Sequence, residues 1–199
     1  LFRSRIRIQP DLRGVMRTMQ KANIAGKVAL ITGAAGGLGQ SIAYKLAEEG
    51  WSLVVVSRDK DRLQQAYGNQ HLQIVADCST AAGARQIMAE AKAAGVQPTA
   101  LAHCAGNIRL GALHRMSDED FRACLEANLV SAFHTLAAFI GGLRESNLPG
   151  AAVLVSSVAA QMGTPNHEAV AAAKGAPHMA GLDLAQKVTV SKSYEWTQT

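Results

Sequence analysis

Three glycines at a fixed spacing give this chain its first candidate chemistry. Gly33, Gly37 and Gly39 lie in the run TGAAGGLG, directly after the apolar run VALI. Glycine lets the backbone approach a ligand closely, and the free N–H groups of a following helix attract anions. We therefore predict that this turn binds a pyrophosphate. The alternative is a glycine-rich turn without a ligand, because such a pattern alone is weak evidence.

A second candidate ligand group follows the second predicted strand, residues 51–56. In dinucleotide-binding folds the end of this strand faces the adenosine ribose, where a carboxylate binds the 2′-hydroxyl and an arginine accommodates a 2′-phosphate. Ser57 and Arg58 occupy that position, which favours NADP(H), with NAD(H) as the alternative. The structural alternative is a solvated arginine at a helix start, since Asp59 lies beside it and the glycine turn has Gly36 instead of a basic residue.

Alternating strands and helices would position these groups. Apolar runs predict five strands, and the segments between them carry helical periodicity with start and stop residues. Such alternation predicts an α/β fold: a doubly wound parallel sheet of the Rossmann type, covered by helices on both faces in three layers. The predicted strands lie in 27–33 and at 51–56, 71–76, 100–103 and 151–155. The predicted helices lie at 40–50, from after Asp59 to about residue 67, and at 80–94, 117–143 and 168–186.

Composition and charge limit the classes of partner. With 199 residues, 48% of them hydrophobic, the chain can bury one good core. Residues 1–26 hold six basic residues and one acidic residue, so the net charge of +5 belongs to this arm and the remainder is neutral. We therefore predict one domain over 27–199 with small-molecule partners and no nucleic-acid surface. No apolar run is expected to cross a membrane.

The arm over residues 1–26 is rich in arginine and poor in acids, as mitochondrial transit peptides and many other extensions are. Because the chain opens on Leu1 and carries Met16 and Met19 before the first strand, we favour an upstream extension or an alternative start over import. The three cysteines are odd in number and form no C-x-x-C pair, which indicates neither a disulfide framework nor a metal site. A cytoplasmic, reducing location fits.

Several motifs, in their order and spacing, resemble the short-chain dehydrogenase/reductase family from about residue 27 to residue 181. They are Thr32-Gly33 with Gly37 and Gly39, Asp77, Ala105-Gly106, Asn128, Ser157 and Lys174. The resemblance implies hydride transfer between NAD(P)(H) and a carbonyl or alcohol substrate, with Asp77 contacting adenine. The implied cofactor-binding residues are Gly33, Gly37, Leu38, Gly39, Ser57, Arg58, Asp77, Cys78, Ala105, Gly106 and Lys174.

The resemblance also implies catalytic roles for three residues. Ser157 would bond to the substrate oxygen, and Asn128 would anchor a water in a proton relay. Lys174, which follows Ser157 by 17 residues, would hold the nicotinamide ribose and lower the pKa of a neighbouring phenol. The structural alternatives are a serine in an ST-turn, an asparagine bonded to local backbone, and a lysine on a helix face.

The chain departs from the family where the catalytic tyrosine would stand, four residues before Lys174. Val170 occupies that position, and valine cannot transfer a proton. His167 and Glu168 are the candidate replacements, because His167 is predicted three residues before Val170 on the same helical face and imidazole titrates near neutral pH. Both have a structural alternative, since helix starts favour acidic residues electrostatically.

The end of the chain departs from the family as well. Family members continue through another strand, a Pro-Gly turn and a substrate-covering segment, whereas residues 187–199 are polar and lack these signals. We therefore expect an altered or truncated C-terminus and a fifth strand left at the edge of the sheet unless the tail covers it. The helices predicted at 118–143 and 168–186 resemble the pair through which family members associate, which predicts a homo-oligomer.

Three interpretations follow from these observations. The first is an NADP(H)-dependent oxidoreductase, and the second is a catalytically silent protein that still binds the nucleotide. The third is a truncated product without function. The first is the leading interpretation, and the missing tyrosine and substrate-covering segment keep the second open as its alternative.

Overall fold

A parallel sheet organises the part of the chain that the computed structural model describes, residues 26–180 and 188–192. Its strands are β1 (Val28–Thr32), β2 (Ser52–Ser57), β3 (Leu72–Val75), β4 (Ala100–His103), β5 (Gly150–Leu154) and β6 (Val188–Lys192). They lie in the order β3-β2-β1-β4-β5-β6, and each neighbouring pair is parallel. This confirms the predicted doubly wound α/β fold.

Helices connect the strands, and polar side chains define where several of them begin. The helices are α1 (Gly37–Glu48), α2 (Lys60–Tyr67), α3 (Ala81–Ala93), α4 (Asp118–Leu125), a π-helical segment (Glu126–Val130), α5 (Ser131–Glu145) and α6 (Glu168–Ala180). The side chains of Asp59, Thr80 and Ser117 accept a backbone N–H from the first turns of α2, α3 and α4. Such caps satisfy N–H groups that a helix start leaves without partners.

Each face of the sheet is buried by its own layer of helices. On one face Ile31 packs with Leu46 of α1. On the other face Leu30 packs with Phe139 and Leu143 of α5. A strand that is buried on both faces has a continuous apolar sequence instead of an alternating one, which is why the run VALI predicted β1.

The sixth strand decides between the two alternatives predicted for β5: the C-terminal segment covers it, and β5 is not at the edge of the sheet. In β6, Val188 pairs with Gly150 and Lys192 pairs with Leu154. Its sequence, VTVSK, alternates apolar and polar residues and so lacks the apolar run that marks the other strands. The helix predicted over 168–186 is described to Ala180; the rest of that prediction, like the arm over residues 1–25, lies outside the described residues.

The long helical stretch between β4 and β5 also differs from expectation. The π-helical segment Glu126–Val130 interrupts it. By length and mean hydropathy alone, Asp118–Glu145 could cross a membrane, contrary to the prediction that no run is long enough. This is weak evidence, because core helices meet the same criteria, and here Leu136 and Phe139 pack against the sheet.

The first helix also differs from the prediction, since α1 begins three residues earlier than predicted, at Gly37.

A buried chain of hydrogen bonds joins β1, β4 and the start of α5. His103 Nδ1 lies 2.8 Å from Thr32 Oγ1, and His103 Nε2 lies 3.1 Å from Ser131 Oγ. Ser131 donates its hydroxyl hydrogen to Ala127 O at 2.7 Å. His103 must therefore donate through Nε2 and accept through Nδ1 from Thr32. The chain connects the strand before the glycine turn to the end of the π-helical segment.

The position of His103 makes it neutral in the folded protein. Burial lowers the pKa of His103 to about 3, and the charge of Lys174 adds to this effect. In the unfolded chain the same imidazole titrates near its ordinary pKa of 6.5. The unfolded state therefore binds more protons than the folded state between these two values, so stability falls as the pH falls from 6.5 towards 3.

We predict that replacing His103 by asparagine reduces the acid sensitivity of the fold. Between pH 7 and pH 5 the unfolding free energy of the unmodified protein should fall by about 2 kcal/mol more than that of His103→Asn. Urea unfolding at the two pH values measures this difference. Because every other titrating group is shared, equal pH dependence in both proteins would show that His103 does not carry the linkage.

Candidate functional site

The glycine turn lies at the carboxyl end of β1, where the backbone leaves room for a ligand. Gly33 has φ +63°, and a Cβ built on it would lie 2.7 Å from Ala105 N, so only glycine fits. A Cβ on Gly39 would meet the Gly33 carbonyl oxygen and would lie 2.8 Å from Ala34 Cα. A Cβ on Gly37 would have no protein atom within 4 Å. The space before the N-terminus of α1 is thus open to an anion.

Side chains from α1 and α2 hold this turn in place. Tyr67 Oη donates to Ala34 O at 2.7 Å, and Arg62 Nη2 donates to Ala35 O at 3.0 Å. Gln40 Nε2 donates to the same carbonyl at 3.0 Å. The sequence analysis missed Arg62 and Tyr67, because their partners lie 27 and 33 residues away and no local pattern marks such a bond.

Ser57 and Arg58 lie at the end of β2, beside the glycine turn. Asp59 Oδ1 accepts Arg62 N at 3.0 Å as the cap of α2, and Asp59 N donates to Ser57 Oγ at 3.2 Å. The Asp59 carboxylate is therefore engaged with its own helix. Arg58 is exposed, and its charge acts on Asp77 at the end of β3.

Asp77 is held in its charged form next to Arg58. Ser79 donates to Asp77 Oδ1 through its N–H at 2.9 Å and its hydroxyl at 2.7 Å. Burial raises the pKa of Asp77, but these hydrogen bonds and the Arg58 charge outweigh burial and lower the pKa overall. At the neighbouring position, burial raises the pKa of the Cys78 thiol. The charged Asp77 carboxylate can therefore accept hydrogen bonds, whereas the neighbouring Cys78 thiol is uncharged.

Two polar side chains converge on Gly106, beyond the end of β4. A Cβ built on Gly106 would lie 2.5 Å from Asn128 Oδ1 and 3.3 Å from Lys174 Nζ. Lys174 Nζ donates to Val155 O at 2.9 Å, which leaves two of its N–H groups for other partners. Asn128 Oδ1 is buried and has no hydrogen-bond partner. A buried acceptor without a partner is rare and indicates a missing ligand or water.

The π-helical segment fixes how Asn128 is presented. Asn128 Nδ2 donates to Cys124 O and to Asn107 O, each at 2.9 Å. These bonds match the structural alternative of an asparagine bonded to local backbone, yet they use only the amide N–H₂. Its Oδ1 is left to face Gly106. Single π-helical turns inside α-helices are frequent at functional sites.

The burial of Lys174 sets the electrostatics of this part of the site. The residue is 9% exposed, although lysine is almost never buried without a functional or paired partner. Burial lowers the pKa of Lys174, while Cys104 and Cys124 act in the opposite direction. Burial also raises the pKa of Cys104 to about 12, so that thiol is uncharged at neutral pH. Within the described residues, little negative charge compensates the burial of the Lys174 amine.

Ser157 follows β5 and begins the 3₁₀ turn Val158–Ala160. Its Oγ accepts Ala159 N at 3.2 Å, which is the ST-turn that the sequence offered as the structural alternative. The hydroxyl hydrogen is still available, because a serine hydroxyl both donates and accepts. Ser156 donates to Lys174 O at 3.0 Å and so links the end of β5 to α6.

His167 lies at the start of α6, as predicted. Ala171 N donates to His167 O at 2.7 Å, and α6 begins at Glu168, so His167 immediately precedes the helix and accepts its first backbone hydrogen bond. Its Nδ1 donates to Pro165 O at 2.8 Å. Seven residues of helix put it about 10 Å from Lys174 along the axis. Within the described residues no hydrogen bond joins it to Ser157 or Lys174.

Val170 lies in an apolar cluster between α4 and α6. It is 4% exposed and packs with Cys124, Ala169 and Ala173. Met116, Phe121 and Leu125 are packed against the same cluster. No carboxylate or imidazole belongs to the cluster as described, so the position of the family tyrosine holds no proton donor. Glu168 has one buried carboxylate oxygen without a hydrogen-bond partner. This residue begins α6, two residues before the position of the family tyrosine.

Comparison with known proteins identifies the family. The model of the short chain dehydrogenase family matches residues 27–192, and the chain therefore belongs to this family. The match extends past residue 181, where the sequence analysis ended the resemblance, and it includes β6.

Individual relatives agree with this assignment. The chain is 29% identical over 178 residues to the 2,3-dihydro-2,3-dihydroxybenzoate dehydrogenase of Bacillus subtilis (strain 168), covering 84% of this chain and 68% of that one. It is 27% identical to the (3R)-3-hydroxyacyl-CoA dehydrogenase of Canis lupus familiaris, covering 74% and 62%. A solved alcohol dehydrogenase of the archaeon Thermococcus sibiricus, complexed with 5-hydroxy-NADP, matches with a TM-score of 0.77 and 25% identity, covering 84% and 75%. The chain spans about two thirds of the length of these curated relatives.

We predict that Gly37→Val abolishes dinucleotide binding without unfolding the protein. The new Cβ would have no protein atom within 4 Å outside its own stretch of helix, but the side chain would occupy the space that a pyrophosphate needs. Gly141→Val is the matched control, because Gly141 is also a helical glycine with no atom within 4 Å of a built Cβ. Isothermal titration and thermal unfolding of both variants test this. Retained binding in Gly37→Val would show that the turn is not the pyrophosphate site.

Proposed function

We propose that this chain binds NADP(H) along the carboxyl edge of its sheet and transfers hydride between that cofactor and a carbonyl or alcohol substrate. The observation that carries the proposal is the convergence of a buried ammonium and a partnerless acceptor, Lys174 Nζ and Asn128 Oδ1, on Gly106. Neither group is explained by packing alone. Family membership supports the same chemistry, because known members are NAD(P)-dependent oxidoreductases.

The residues present fit such a dinucleotide at three points. The space at Gly37 would take the pyrophosphate at the start of α1. Arg58 and Asp77 stand where the adenosine would lie, and the absence of a Cβ at Gly106 lets Asn128 Oδ1 and Lys174 Nζ approach the backbone there, where the nicotinamide ribose would be bound. When bound, the cofactor supplies or accepts the hydride. Lys174 would hold the ribose through the two N–H groups that Val155 does not use.

Proton transfer needs a donor other than the side chain at position 170. We place a water between Asn128 Oδ1 and Lys174 Nζ, where the first atom accepts a hydrogen bond and the second donates one. Ser157 would donate its free hydroxyl hydrogen to the substrate oxygen and orient it towards this water. In carbonyl reduction the water then gives its proton to the oxygen and regains one through Lys174. His167 is given no part in this scheme, because it precedes α6 and its Nδ1 is bonded to Pro165 O.

A second function is favoured by one specific observation. Val170 is packed into an apolar cluster rather than facing an empty space, so the site has been closed where a phenol would act. The protein would then bind the nucleotide without turnover. A cofactor that binds and a carbonyl panel that gives no reduction would support this alternative.

We also propose that the chain forms a homo-oligomer through α4, α5 and α6. Support comes from an exposed aromatic side chain on α5, Phe133, and from two exposed alanines on α6, Ala172 and Ala176, whose small side chains allow helices to approach closely. Two further alanines of α6, Ala169 and Ala173, are instead buried against α4 within the chain. A monomer in light scattering at micromolar concentration would contradict this assembly.

We predict that Val170→Tyr raises carbonyl reduction, because a phenol four residues before Lys174 would restore a direct proton donor. General acid–base groups contribute about 10²- to 10⁴-fold to rates, so the gain should be measurable as NADPH consumption with a carbonyl substrate. Val170→Phe is the matched control, since it adds the same ring to the same cluster without a hydroxyl group.

The outcomes separate the two functions. A gain in Val170→Tyr but not in Val170→Phe supports the oxidoreductase scaffold and the positions of Ser157 and Lys174. Retained cofactor binding with no gain in either variant supports the nucleotide-binding protein. Overpacking a core typically costs 1 to about 3 kcal/mol, and the phenylalanine variant measures that cost separately from the chemistry.

A further inference from the structure

One arginine outside the motifs reaches the cofactor edge from α2. The glycine turn itself carries no basic side chain, since Gly36 stands between Ala35 and Gly37. Arg62 crosses from α2 to this turn and donates from Nη2 to Ala35 O at 3.0 Å. A guanidinium group has five N–H donors in a planar fork. Most of them are thus left for another acceptor.

The backbone brings Arg62 and Arg58 to the same end of the site. Ala34 N donates to Val56 O at 3.0 Å, which fixes the glycine turn against the end of β2, two residues before Arg58. Arg58 approaches from β2, and Arg62 approaches from the first turn of α2. In dinucleotide-binding folds the ribose 2′-substituent lies at this end of the second strand.

Arg62 occupies a helix position that disfavours it electrostatically. With Asp59 as the cap of α2, Arg62 is the third residue of the helix, in the turn where the helix dipole favours acidic side chains. The usual residue at this position is a Glu or Gln that bonds back to the cap. Helix stability therefore does not account for an arginine here.

Nearby carboxylates are occupied by other partners. Asp59 caps α2 through Arg62 N, and Asp77 Oδ1 accepts two hydrogen bonds from Ser79. Within the described residues, no ion pair joins a carboxylate to Arg58 or to Arg62. A phosphate between the two arginines would not have to displace a side-chain anion.

We infer that Arg62 is a second ligand for the 2′-phosphate of NADP(H), which supplies from α2 the positive charge that the glycine turn lacks. This rests on the proposed binding of NADP(H). Arg58 and Arg62 would both donate hydrogen bonds to the phosphate. The bond to Ala35 O orients the Arg62 guanidinium group before the ligand binds. Arg62 therefore contributes to the selection of NADP(H) over NAD(H).

Two pairs of ligands that differ only by the 2′-phosphate test this inference. Titration calorimetry on the full chain compares 2′,5′-ADP with 5′-AMP and NADPH with NADH. Arg62→Gln should weaken the two phosphorylated ligands about tenfold and change the other two less than about twofold, since charge-assisted bonds are the stronger class. Arg62→Lys keeps the charge but loses the fork and should fall between. The preference should shrink with added salt.

A matched control and a comparison variant sharpen the test. Arg144→Gln makes the same change in the last turn of α5, at the opposite edge of the sheet, and should leave all four affinities unchanged. Arg58→Gln should lose the preference in the same direction as Arg62→Gln. Circular dichroism and thermal unfolding verify that each variant is folded.

Each result has one reading. If Arg62→Gln weakens all four ligands equally, Arg62 only supports the glycine turn, and the inference is overturned. If Arg58→Gln loses the preference and Arg62→Gln keeps it, the inference fails while the proposed cofactor stands. If the unmodified chain binds 2′,5′-ADP no better than 5′-AMP, both the NADP(H) assignment and the inference about Arg62 fail.

Discussion

The close approach of two backbone segments determines the geometry of the site. Gly33 lies against the chain that leaves β4, with a built Cβ only 2.7 Å from Cys104 C and Ala105 N. Any side chain at Gly33 would force β1 and β4 apart at their carboxyl ends. Because the segments touch, the turn proposed to face the pyrophosphate and the glycine proposed to face the nicotinamide, Gly106, share one edge of the sheet. The Thr32–His103 hydrogen bond directly beneath holds the same two strands together.

The second half of the site depends on α4, α5 and α6 being anchored to that edge. His103 reaches Ser131 at the end of the π-helical segment, and Lys174 reaches Val155 after β5. Asn128 and Lys174 thereby converge on Gly106. The residues proposed to bind the cofactor lie apart from position 170, which is filled by apolar packing. The proposed binding therefore does not require a tyrosine there, whereas the direct proton transfer of the family does.

Local and periodic features were predictable from the sequence, and long-range ones were not. The glycine turn, the βαβ alternation and the Ser117 cap each follow from residues close together in the chain. The positions of Asp77, Asn128 and Lys174 came from the family pattern. The bond from Arg62 to Ala35 O spans 27 residues and has no local signal. β6 was not predicted as a strand, because polar residues alternate with its apolar ones.

A crystal structure of the full chain with NADP⁺ tests the central claim most directly, through one distance. The account predicts that Lys174 Nζ lies within hydrogen-bond distance of a hydroxyl of the nicotinamide ribose, about 3 Å, with the pyrophosphate in front of Gly37. A nucleotide bound elsewhere would contradict the account. So would a nicotinamide ribose at this edge that makes no contact with Lys174.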